Sequence, residues 1–105
     1  MSTEKWVVHK FGGTSVAGAE RYRAVAEIVR ERQAREGGRA AVVVSAMSGV
    51  TDALLELVEL AAAREDSCAD KLAALRKRHL DTVTQLGLSE ARSSALTQAF
   101  AAAFT

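Results

Sequence analysis

Two apolar runs in the first half of the chain, Trp6–Phe11 and Ala40–Val44, each end on a cluster of glycine and hydroxyl residues. Runs this short and this continuous predict strands buried on both faces, as in a parallel sheet under helices. Alternation places Val7, His9 and Phe11 on one face of the first strand and Val8 and Lys10 on the other. Between the runs, from about Ala17 to Glu36, the period changes. Tyr22, Val25, Ala26 and Val29 fall at i, i+3, i+4 and i+7, one apolar helical stripe, with Glu31 and Arg35 as an i,i+4 pair on the polar side. Gly37-Gly38 supplies the stop, because glycine takes the left-handed conformation at a helix end cheaply. Strand, helix and strand within about forty residues make a βαβ unit with a right-handed crossover, so the predicted fold class is α/β.

After the second strand the pattern is helical. Val50, Leu54, Leu57, Val58 and Ala61 mark a helix to about Arg64. Asp66 or Ser67 caps a third, with Asp70 three residues after Ser67 in a capping-box arrangement. Its stripe is Leu72, Leu75, His79, Val83 and Leu86, ended by Gly87; Ser89 then opens a fourth through Leu96, Ala99, Phe100 and Ala103. Two strands do not make a stable sheet. Nor do they close an α/β layer with four helices. Residues 1–105 are therefore expected to be the N-terminal portion of one longer domain: a parallel βαβ unit followed by a helical segment.

Composition narrows the class. With 49% hydrophobic and 26% charged residues the chain is a globular domain, neither disordered nor fibrous. A net charge of +1 gives no basic excess for nucleic acid. The single cysteine, Cys68, offers neither a disulfide nor metal-ligand spacing, which fits a reducing compartment. No apolar run reaches the roughly 20 residues that span a bilayer, and Met1 to Lys5 is polar with no export signal. The expectation is a cytoplasmic protein with no membrane or nucleic-acid partner.

The candidate chemistry sits at the two corners. In Lys10-Phe11-Gly12-Gly13-Thr14-Ser15, glycines let a ligand approach the backbone, and a helix opening just after them aims unpaired N–H groups at it. Lys10 adds a mobile cation suited to phosphate oxygens. Plainer roles stand beside these. Gly12 and Gly13 can serve only a tight turn, Lys10 can be a solvated charge, and Thr14, Ser15, Ser45 and Thr51 can be helix caps. Asp52 suits a helix start, with no ground in the sequence for promoting it to a metal ligand. His9, His79, Trp6 and Cys68 read as packing residues. A P-loop is excluded, because no G-x-x-x-x-G-K-[ST] occurs.

Lys10-Phe11-Gly12-Gly13-Thr14-Ser15-Val16 resembles the N-terminal signature of aspartate kinases, within the amino acid kinase superfamily. Val42-Val43-Val44-Ser45-Ala46-Met47-Ser48-Gly49-Val50-Thr51-Asp52 resembles that family's segment after its second strand, at the expected distance. Kinases of glutamate, acetylglutamate, carbamate or UMP share the glycine turn but usually lack the Phe-Gly-Gly-Thr-Ser run. The resemblance implies ATP-dependent phosphorylation of the aspartate side chain, the first step towards lysine, threonine and methionine, with Mg2+ accompanying the ATP. It implies Lys10 on the transferring phosphoryl group and Gly12, Gly13, Thr14 and Ser15 around the nucleotide phosphates. Ser45 and Thr51 are the implied aspartate-contacting hydroxyls, with Ala46 and Gly49 shaping that pocket. The family's later acidic, arginine and catalytic aspartate contacts and its regulatory domains have no counterpart within 1–105. The resemblance therefore implies an inactive fragment of a longer chain, a homo-oligomer when whole and possible front half of a bifunctional enzyme. A different carboxylate acceptor, or a nucleotide-binding fragment without catalysis, are the other readings.

Overall fold

The computed structural model describes residues 5–103, and of Thr14 only the backbone; the polar stretch at residues 1–4 lies outside the described residues. Two compact units divide at Gly49 and Val50.

In the first unit, β1 (Trp6–Phe11) and β2 (Arg39–Val44) pair in parallel, Trp6 opposite Arg39 through Phe11 opposite Val44. The crossover is α1 (Ala19–Glu36), ended by Gly37 at φ +69°, whose N–H donates to the Gln33 carbonyl at 2.8 Å. Gly38 is the glycine the fold cannot exchange. Its φ is +80°, and a Cβ there would lie 2.5 Å from the Lys5 carbonyl oxygen. That oxygen accepts the Arg39 N–H at 2.9 Å, the rung on which β2 starts.

Paired residues of a parallel ladder share a face. Val7, His9, Phe11, Ala40, Val42 and Val44 therefore share one side, and Trp6, Val8, Lys10, Arg39, Ala41 and Val43 the other. His9 is buried, and a crevice lined by Val7, His9, Ala40 and by Arg32 and Gln33 of α1 identifies its side as the helix side. The opposite side is open, with Trp6 58%, Val8 67% and Val43 52% exposed. Burial of both strand faces, expected from the apolar runs, is thus corrected: on the helix side His9 is buried and Val7, Phe11 and Ala40 are half-buried, while Val42 and Val44 stay 47% exposed. A single crossover helix covers only one side of a sheet. Trp6 is accordingly a surface residue, its ring under the Arg39 guanidinium at 5.5 Å.

The second unit is three helices, α2 (Val50–Ala62), α3 (Ser67–Leu86) and α4 (Glu90–Ala103). Leu75 and Val83 of α3 are buried on the stripe the sequence marks, and its C-cap Gly87 is left-handed, its N–H donating to the Thr84 carbonyl at 3.2 Å. His79 is structural: Nδ1–H donates to the Leu75 carbonyl at 2.8 Å and the ring packs on Phe100, centroids 5.2 Å apart. Ser89 caps α4, its Oγ accepting the Arg92 N–H at 3.4 Å. Two expectations change. Asp66 holds the N-cap position of α3 without a side-chain bond. On α2, Leu54 and Val58 are exposed, whereas Val50 is buried and Ala53, Leu57 and Leu60 are half-buried. Asp52, Glu56 and Glu59 mark the polar side of that helix, but the remaining apolar arc is wider than the strip that α3 covers, and packing against α3 selects within it.

Candidate functional site

β1 ends at Phe11 and the chain enters Gly12 in an extended conformation, φ −75° and ψ 176°. Gly13–Val16 then forms one turn of 3-10 helix, closed by the Ser15 N–H donating to the Gly12 carbonyl at 3.0 Å. The turn carries Val16 into full burial, at 0% exposure, which pins the corner from below. α1 begins only at Ala19, behind N-cap Gly18, and no side chain caps it. The expected long helix directly behind the glycines is therefore corrected. The donors near Gly12 and Gly13 belong to a single tight turn, without the accumulated dipole of α1. Ser15 is not a cap of α1; its N–H is engaged within the turn, which leaves the half-buried hydroxyl for other contacts. The Thr14 side chain lies outside the described residues.

The second corner follows β2. The Ser45 N–H donates to the Phe11 carbonyl at 3.1 Å, carrying the parallel ladder one rung past the strands. The Ala46 carbonyl oxygen lies 3.8 Å from where a Gly13 Cβ would stand. Matched strand lengths thus bring the Phe11–Gly13 turn beside Ser45 and Ala46. Ser45 is exposed, and with its N–H committed its hydroxyl is the donor left to meet a ligand. Gly49 closes this unit at φ +84°, where the backbone alone calls for glycine. Thr51 is exposed in the first turn of α2, in the other unit. Lys10 pairs with Val43 on the open side of the sheet, with its side chain exposed.

The glycines of the first corner differ in kind from Gly38 and Gly49. Gly12 has a backbone any residue adopts, and a Cβ there would meet nothing within 4 Å. Gly13 has no positive φ, and its Cβ would make only ordinary contact with Ala46. Neither turn geometry nor packing requires glycine at either position. The bare backbone there leaves room for close approach from outside the chain.

The sequence did not disclose that Ser45 N–H and Phe11 C=O join the corners. The available signal was the equal length of the two strands, each running straight into small residues. Among the described residues no three of His, Cys, Asp and Glu gather to hold a metal ion. No described helix is long and apolar enough to cross a membrane.

Comparison with known proteins gives the family. Residues 5–104 match the amino acid kinase family. The chloroplastic bifunctional aspartokinase/homoserine dehydrogenase of Daucus carota is 47% identical over 81 residues, which cover 77% of this chain and 8% of that protein. An aspartokinase of Chlamydia trachomatis serovar D is 39% identical over 82 residues, covering 78% of this chain and 17% of its own. One from Mycolicibacterium smegmatis is 55% identical over 51 residues, 49% of this chain and 12% of its own. The chain spans less than a fifth of the length of these relatives. With a parallel βαβ unit and a family match across almost all of its residues, the chain belongs to the amino acid kinase family.

Proposed function

We propose that residues 1–105 are the N-terminal portion of an aspartate kinase domain, supplying the phosphate corner and part of the acceptor corner for phosphorylation of the aspartate side chain by ATP. The observation that carries this reading is the junction at the strand tips: the Ser45 N–H on the Phe11 carbonyl, with Gly13 against Ala46. Phosphoryl transfer asks a protein chiefly to position donor and acceptor and to stabilise moving charge. Two corners joined by one hydrogen bond are suited to holding donor and acceptor at a fixed separation.

In this mechanism the bare backbone at Gly12 and Gly13 admits the ATP phosphates, with Thr14 and Ser15 lining the loop. A side-chain carboxylate oxygen of aspartate attacks the γ-phosphorus. The bond from that phosphorus to the bridging oxygen breaks, leaving ADP and aspartyl phosphate. Lys10 follows the transferring phosphoryl group, where a cation stabilises the charge as it spreads over the equatorial oxygens. Ser45 holds the acceptor, with Ala46 and Gly49 shaping its pocket. Mg2+ would arrive on the ATP phosphates. Among the described residues no three of His, Cys, Asp and Glu gather to hold it, and no step here runs through it.

The proposed setting is amino-acid biosynthesis towards lysine and threonine, in a cytoplasmic homo-oligomer whose remaining kinase residues lie beyond Thr105. Residues 1–105 alone are then inactive. The test is acceptor dependence of ATP turnover by the full-length protein. Aspartate is expected to support turnover and glutamate to fail. Turnover with glutamate alone assigns another member of the family, and nucleotide binding without turnover on either acceptor leaves a binding fragment.

A further inference from the structure

No further inference is drawn: the strongest candidate, the solvent-facing apolar side of α2 formed by Leu54, Leu55 and Val58, is an unpartnered helix face and nothing in the structure shows what covers it.

Discussion

Replacing Gly13 by alanine separates a glycine kept for a ligand from one kept for the fold. The added Cβ would stand 3.8 Å from the Ala46 carbonyl oxygen, ordinary van der Waals distance, and the backbone has no positive φ to strain. Gly→Ala at a compatible site stabilises by about 0.4–1 kcal/mol, mostly by restricting the unfolded chain. The melting temperature of the full-length protein should therefore hold or rise slightly. Nucleotide binding should weaken. A methyl group between the turn and a phosphate removes about one hydrogen bond to a charged group, worth about 1.5–3 kcal/mol. At about 1.4 kcal/mol per factor of ten, that is a roughly 10- to 150-fold rise in Kd. Calorimetric titration with a non-hydrolysable ATP analogue measures the affinity, and thermal denaturation of the same samples measures the fold. Gly38→Ala is the internal control. Its Cβ would lie 2.5 Å from the Lys5 carbonyl at φ +80°, so the first rung of β2 must shift. Backbone strain of this kind costs about 1–3 kcal/mol before the clash is counted. A Gly13→Ala protein that melts much earlier yet binds the analogue normally would refute the reasoning.

Leu75→Ala, at 7% exposure in the helical unit, should lose about 2–5 kcal/mol by urea unfolding, the usual range for a large side chain removed from a core. Ser89→Ala should cost about 0.5 kcal/mol, the low end for a cap, since its bond to the Arg92 N–H is long at 3.4 Å. Asp66→Ala, at a cap position without a side-chain bond, should change the urea midpoint less than Ser89→Ala does. Lys71→Met removes the cation paired with Glu56 across α2 and α3. Both side chains are about half exposed, so the expected loss is under about 1 kcal/mol and should shrink further in high salt.

The elements that were legible carry their cause locally. β1 and β2 show as apolar runs, α3 as a stripe through Leu75 and Val83, and the helix ends at Gly37 and Gly87 as glycines at positive φ. What escaped depends on residues far apart in the chain. Whether Val8 and Val43 are covered is decided by which side of the sheet α1 occupies, and one helix leaves them bare. The inward strip of α2 is chosen by α3, because the apolar arc opposite Asp52, Glu56 and Glu59 is wider than one neighbouring helix covers. At the first corner the glycines were plain to see, yet the 3-10 turn and the late start of α1 follow from Val16 turning into the core. The link from Ser45 to Phe11 needs the strand register, which emerges only when both strands are paired.

The most direct measurement is aspartyl phosphate formation, trapped as the hydroxamate, by the full-length protein and its Lys10→Ala variant. Lys10 is exposed on the open side of the sheet, so the variant should melt within about 0.5 kcal/mol of the parent, as surface substitutions do. Its kcat should fall by roughly 100- to 1,000-fold, the usual loss when one charge-stabilising group is removed. Unchanged kcat in a folded Lys10→Ala protein would contradict the assignment of these strand tips to phosphoryl transfer.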